Sequence, residues 1–213
     1  MIIKDRDISG IVFDLDGTLV YTKPKYRYLV VGNTLNELGI KSTKDIIDRF
    51  WFESDRNKII QEHFLIDYNI FWNEFRIWDN VELRKNFTYP YKDTEVINEI
   101  RNNGVKTGIL TGAPIDIRDM EIRLTNQKFD AIISANYING IKEKPNPEGL
   151  LKCLEEMKIK KENATIVGNG LEDIEVGRNA GVFTILVNRR SHKSQNACPD
   201  LEVKSLYKLR RFY

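Results

Sequence analysis

From Val105 to Val187 short apolar runs alternate with helical stretches, and nothing else in the sequence narrows the fold as much. Val105–Leu110, Phe129–Ser134, Ala164–Val167 and Phe183–Val187 read as strands. Between them, a stretch ending near Gln127, Asn146–Met157 and Leu171–Ala180 read as helices, the last closed by Gly181. One more helix precedes the first of these strands. Asp93 or Thr94 is placed to cap it, Val96, Ile97 and Ile100 share one face, and Gly104 ends it. Near the N-terminus the apolar run Ile8–Phe13 reads as a further short buried strand. Alternation of this kind builds a parallel sheet, so the expected class is α/β, a Rossmann-like parallel sheet with helices on both faces. Ligands of such sheets bind at the carboxyl ends of the strands.

Those strand ends are polar in this chain. Ile8–Phe13 stops at Asp14-Leu15-Asp16-Gly17-Thr18, two carboxylates one residue apart followed by a turn glycine. Asp14 and Asp16 repel each other unless a cation or a shared proton stands between them. Val105–Leu110 stops at Thr111-Gly112, a hydroxyl beside backbone that a ligand can approach. Lys144 precedes Pro145 in a stiff turn, and Ala164–Val167 stops at Gly168-Asn169-Gly170, with Glu172 and Asp173 in the first turn of the next helix. Singly each is an ordinary loop or turn, and an acidic first turn suits a helix dipole. Gathered at one edge they supply carboxylates for a divalent cation, a nucleophile, a hydroxyl donor and a lysine, the equipment for phosphoryl transfer.

Between Val20 and Tyr89-Pro90-Tyr91 the pattern is helical, with no strand expected from Pro24 to about Asn86. Pro24 suits a first turn and Leu38-Gly39 an end, Ser42 or Thr43 is placed to cap a second helix, and Ser54 or Asp55 a third. Phe64, Tyr68, Phe71, Phe75 and Trp78 recur at helical spacing, and all three tryptophans, Trp51, Trp72 and Trp78, lie in this segment. The stripe reads first as the core of a small helical subdomain, and second as the lining of a substrate cavity. The expected division is therefore a core of residues 1–20 and 88–213 with a helical insert over 21–87. The stretch Arg189–Asn196 is polar and reads as a loop.

Composition sets limits on function. With 33 basic and 31 acidic residues the net charge is only +2, which gives no support for binding nucleic acid or a membrane surface. Met1-Ile2-Ile3-Lys4-Asp5 lacks the apolar centre of a signal peptide, and no run is long enough to span a bilayer. Cys153 and Cys198 stand far apart and read as reduced, which places the chain in the cytoplasm. Two histidines, His63 and His192, poorly supply a zinc site or a Ser-His-Asp triad.

In order, Asp14-Leu15-Asp16-Gly17-Thr18-Leu19-Val20, Ile109-Leu110-Thr111-Gly112, Lys144-Pro145-Asn146-Pro147-Glu148 and Val167-Gly168-Asn169-Gly170-Leu171-Glu172-Asp173-Ile174 resemble the four motifs of the haloacid dehalogenase-like hydrolase superfamily. Within it the chain is most similar to the phosphoglycolate phosphatase and β-phosphoglucomutase branch, whose helical cap is inserted where the segment after Val20 lies. The resemblance implies that Asp14 is the nucleophile of an aspartyl-phosphate and Asp16 the general acid, then base. The related dehalogenases lack a second aspartate because a halide needs no proton, so Asp16 implies a phosphate ester. Thr111 and Gly112 would bind a phosphoryl oxygen together with Lys144, which also offsets the charge of nucleophile and phosphate. Mg²⁺ would be held by an Asp14 oxygen, the Asp16 carbonyl, Asn169 and Asp173.

Two positions depart from the pattern. The fourth motif usually has aspartate where Asn169 stands, and Tyr21-Thr22 replaces an acidic residue followed by serine. The expected function is Mg²⁺-dependent hydrolysis of a small phosphate monoester, a small phosphorylated metabolite. The alternatives are a phosphomutase of the same branch and a weakly active or non-catalytic relative that binds a phosphorylated metabolite. The sequence does not determine the oligomeric state.

Overall fold

The computed structural model describes residues 7–53, 55–189 and 197–212. Ser54, expected as a cap, and residues 190–196 of the polar stretch, with His192, lie outside the described residues. Two compact units emerge, Met1–Tyr21 with Tyr89–Tyr213, and Thr22–Thr88.

The first unit is built on a sheet of six parallel strands: β1 (Gly10–Phe13), β4 (Lys106–Thr111), β5 (Ala131–Ser134), β6 (Ala164–Gly168), β7 (Phe183–Val187) and β8 (Leu201–Val203). They lie in the order β5-β4-β1-β6-β7-β8. Phe13 pairs with Ile109 on one side and Val167 on the other, so β1 sits at the centre. The topology runs outward from β1 through β4 to β5, then returns to β6 on its other side. That reversal, between β1 and β6, is the switch point where α/β sheets of this order bind ligands.

Both faces of the sheet are apolar, as burial on two sides requires. Ile11, Phe13, Ile109, Val167 and Ile185 join one core cluster with Val96, Ile97 and Ile100 of α6 (Val96–Asn102), and Ile122 of α7 (Ile115–Thr125) packs against it. Val12, Leu110, Ile133 and Ile166 join another with Leu150, Leu154 and Met157 of α8 (Glu148–Met157) and Val176 of α9 (Leu171–Ala180). Gly181 closes α9 at φ +71°, as a left-handed C-terminal residue. Asp93, expected as a helix cap, does not serve as one. It is buried, accepting hydrogen bonds from Arg189, Ser205 and the Leu206 N–H, because a buried carboxylate takes its charged and amide donors wherever the fold supplies them.

The second unit is helical: α1 (Pro24–Glu37), α2 (Lys44–Phe52), α3 (Arg56–Ile59) running into a π-helical turn Ile60–Phe64, α4 (Tyr68–Trp78) and α5 (Val81–Arg84). Thr43 accepts from the Ile46 N–H and Asp55 from the Lys58 N–H, capping α2 and α3. Two strands of this stretch, like β8 of the large sheet, escape the sequence reading. β2 (Val20–Thr22) and β3 (Thr88–Pro90) pair as a small sheet where the chain leaves the first unit and re-enters it. Of the aromatic stripe, Phe64, Phe71 and Phe75 are buried in this unit's own core with Phe50, while Tyr68 and Trp78 pack against it half-buried. Phe71 is fully buried, its ring 5.0 Å from that of Phe50 and 5.3 Å from that of Phe64. Phe71→Ala is expected to destabilise this unit by about 3–5 kcal/mol, measured by denaturant unfolding followed through tryptophan fluorescence. A loss below 1 kcal/mol, taken as about the scale of a surface substitution, would place the ring outside the core.

Candidate active site

Asp14 directly follows β1, and its N–H continues the strand ladder to the Val167 carbonyl at 2.9 Å. The chain then folds back tightly: the N–H groups of Thr18, Leu19 and Val20 all point to the Leu15 carbonyl. Gly17 makes this turn with φ +86°, and a Cβ there would lie 2.4 Å from the Asn169 amide nitrogen. Only glycine satisfies both the dihedral and the contact. The turn returns the Thr18 hydroxyl beneath Asp14, 2.9 Å from Asp14 Oδ2, and 3.1 Å from Asn169 Oδ1, both within reach of its proton. Thus the ends of β1 and β6, the two strands at the switch point, meet through one threonine.

Lys144 joins the third element. Its Nζ donates to Asp14 Oδ1 at 2.8 Å and to Asp173 Oδ1 at 2.6 Å, and its side chain is 7% exposed. The other Asp173 oxygen accepts from the Gly170 N–H at 2.9 Å, closing the first turn of α9. A Cβ at Gly168 would fall 2.2 Å from Asp173 Cγ, so the carboxylate lies directly on the strand end. One ammonium is thus shared by two buried carboxylates. Burial and the Asp173 charge push the Asp14 carboxyl up to about 7, against the opposing pull of Lys144 and the Thr18 hydroxyl. Burial also works against the Lys144 ammonium, but Asp14, Asp173 and Glu172 outweigh it and hold its pKa above the usual lysine range.

Thr111 ends the neighbouring strand β4 and Gly112 directly follows it. Thr111 is buried, and its Oγ1 accepts from the Ala113 N–H at 3.1 Å, which leaves its own proton to donate. Among the described residues neither makes a hydrogen bond to the cluster around Lys144. Asn136, which the sequence reading missed, pins this loop: buried, its amide donates to the carbonyls of Gly112 and Ala113. Thr18 was read only as part of a motif, and its role as the link to Asn169 was not legible. Asp16 stands half-buried two residues after Asp14, within the Asp14–Thr18 turn.

Asp14, the Asp16 carbonyl, Asn169 and Asp173 together offer only oxygen donors, the preference of a hard divalent cation. Among the described residues no three His, Cys, Asp or Glu side chains cluster as a metal cage. The set here combines two carboxylates with an amide and a backbone carbonyl. Its two carboxylates face a single ammonium, so the Asp173 charge adds to burial, the larger cause, in raising the Asp14 carboxyl. A cation of this kind fits the residues present.

The sequence model of the haloacid dehalogenase-like hydrolase family matches residues 11–187, which span all four of these segments. The chain belongs to this family. It is 29% identical over 196 residues to the pyrophosphatase PpaX of Bacillus cereus (strain B4264), covering 85% of this chain and 83% of that protein. Its fold matches that of a haloacid dehalogenase-like phosphatase from Thermococcus onnurineus with a TM-score of 0.70 at 25% identity, over 96% of this chain and 97% of the other. It also matches a predicted phosphoglycolate phosphatase from Haemophilus somnus with a TM-score of 0.76 at 14% identity, over 97% and 98% of the two chains, a likeness of fold alone. This haloacid dehalogenase-like hydrolase has no helix, among its described residues, long and apolar enough to cross a membrane.

Proposed function

We propose that this hydrolase is a Mg²⁺-dependent phosphatase that cleaves a small phosphate monoester through an aspartyl-phosphate on Asp14. The observation that carries the reading is the Lys144 ammonium held between Asp14 and Asp173 at the switch point of the sheet. An Asp14 oxygen attacks phosphorus and the ester P–O bond breaks. Asp16 delivers its proton to the leaving alkoxide, then takes one from the water that attacks phosphorus and frees Asp14. Thr111 donates to a phosphoryl oxygen, and Lys144 keeps Asp14 anionic while balancing charge that gathers on the phosphoryl group. Asp14, the Asp16 carbonyl, Asn169 and Asp173 would hold Mg²⁺, which would supply positive charge to offset that of the phosphoryl group. The helical unit Thr22–Thr88 is assigned the part of the substrate-selecting cap, and the cytoplasm is the assigned compartment. A second substrate has an observation in its favour: the relative from Bacillus cereus is named a pyrophosphatase.

A screen of small phosphate esters and pyrophosphate with Mg²⁺, read as released phosphate, tests the reading. Release that depends on Mg²⁺ supports it, and no release from any compound overturns it. Stoichiometric transfer from a sugar bisphosphate to a sugar, without free phosphate, marks a mutase instead.

Asn169 provides a sharper check. Its amide oxygen carries no charge, so Asp14 and Asp173 are the only anionic side chains in the proposed set. Asn169→Asp is expected to lower the Mg²⁺ concentration for half-maximal rate by about tenfold, for one added charge in a partly solvated site. Initial rates over a Mg²⁺ titration measure this. An unchanged midpoint would remove residue 169 from the metal.

A further inference from the structure

Two residues beyond β7, Arg189 reaches back to the turn that carries the site. Its side chain is 7% exposed. Nη1 donates to Asp93 Oδ2 at 2.8 Å, and Nη2 donates to Asp93 Oδ1 at 2.9 Å and to the Thr18 carbonyl at 2.7 Å. The guanidinium lies 3.9 Å from the centre of the Tyr91 ring, stacked and aimed by it. Asp93 is in turn held by the Ser205 hydroxyl at 2.6 Å and the Leu206 N–H at 2.8 Å. Burial opposes the charge on Asp93, but Arg189 and Ser205 outweigh it and hold the carboxyl below the usual range.

The way this arginine pairs is informative. Its Nε is buried without a hydrogen-bond partner. A side-on pairing with Asp93 through Nε and one Nη would satisfy that donor. The end-on pairing leaves it orphaned and turns Nη2 onto the Thr18 carbonyl instead. The fork is therefore oriented by Thr18 as much as by Asp93. Thr18 is the residue whose hydroxyl lies between Asp14 and Asn169.

We infer that Arg189, aimed by Asp93 and Tyr91, is a positioning residue for the Asp14–Thr18 turn. Its bond to the Thr18 carbonyl fixes where the Thr18 hydroxyl meets Asp14 and Asn169. The inference rests on the reading of Asp14 as the reacting group, and goes beyond it by assigning a function to a residue outside all four motif segments. Loosening the turn misplaces an attacking oxygen already in the site, so it slows turnover more than it weakens substrate binding.

The test compares wild type with Arg189→Met, with Asp93→Asn/Arg189→Met, which leaves no unpaired buried charge, and with Ser205→Ala, which touches Asp93 but not the turn. Amide hydrogen exchange at Thr18 and Leu19, relative to Leu110 in β4, is read by NMR, and kcat and KM are measured at saturating Mg²⁺. Both arginine variants are expected to speed relative exchange at Thr18 and Leu19 about tenfold and to lower kcat about tenfold or more, with KM within about threefold. Ser205→Ala should leave kcat and relative exchange at wild-type values even where its Tm falls. The inference is overturned if the arginine variants leave relative exchange unchanged, if Leu110 exchanges faster by the same factor, or if Ser205→Ala loses as much kcat. Should Arg189→Met not fold, the double variant decides. A wild type without turnover removes the phosphatase reading, and the exchange comparison still decides the role of Arg189.

Discussion

Asp14→Asn is expected to abolish turnover and leave the fold in place. An amide has the shape of the carboxylate but no nucleophilic oxygen able to form the acyl phosphate, so the loss should reach about 10⁴-fold or more. The fold has physical reason to tolerate the change. Asp14 is one of two buried carboxylates sharing the Lys144 ammonium, and burial together with Asp173 already disfavours its charge. Neutralising it removes that repulsion, while an amide can still accept from Lys144 Nζ and meet the Thr18 hydroxyl. Phosphate release and thermal unfolding at pH 7 measure the two halves. Activity above about one per cent of wild type in a clean preparation would take Asp14 out of the nucleophile's role.

Lys144→Met should damage both chemistry and stability. Chemically it removes the cation that keeps Asp14 ionised and balances phosphoryl charge, a loss of about 10²–10³-fold in kcat. Structurally it leaves Asp14 and Asp173 buried together without their ammonium, which costs about 3–5 kcal/mol when both are charged. The pH dependence has a definite sign. Asp14 has a folded pKa raised above its unfolded value, and without Lys144 it is raised further. A carboxyl of that kind supports the fold fully below its unfolded pKa, near 4, and loses that support as pH rises through the folded value. The variant's deficit should therefore be larger at pH 8 than at pH 5, where Asp14 is protonated. Urea denaturation of both proteins at the two pH values, with divalent cations chelated, measures it. A deficit that grows toward pH 5 would mean that the ion pairs seen around Lys144 do not hold the two carboxylates together.

Much of the first unit was legible because its signals are local. An apolar run such as Ile8–Phe13, cut off by Asp14, announces a buried strand and the polar group at its end. The described strand is shorter, Gly10–Phe13, because only those residues pair with β4 and β6. β2, β3 and β8 were missed for a related reason. Each is three residues long, and Thr88–Pro90 contains a proline, so none carries enough alternation to register as a strand. They exist because neighbouring backbone offers partners.

The aromatic stripe was legible as core because Phe64, Phe71 and Phe75 repeat at helical spacing. Trp72, at no stripe position, packs against Phe50, Phe71 and Phe75 all the same, since a ring that large reaches beyond its own face. Asp93 shows the opposite failure. A carboxylate before a helix suits a cap, yet its partners are Arg189, Ser205 and Leu206, about a hundred residues away in the chain. Local spacing carries no information about such donors.

By itself the sequence determined the parallel α/β class, the polar ends of its strands and a turn-permitting glycine at position 17. These follow from periodicity, from the polarity of single residues and from backbone freedom, all properties of a few neighbouring residues. Only the tertiary structure decided that Lys144 stands between Asp14 and Asp173, that Thr18 ties Asn169 to Asp14, and that Arg189 grips the Thr18 carbonyl. Those pairings join groups separated by up to 171 positions in the chain. They are set by strand order and by burial, which force each charged group to find the one partner that the fold brings within reach.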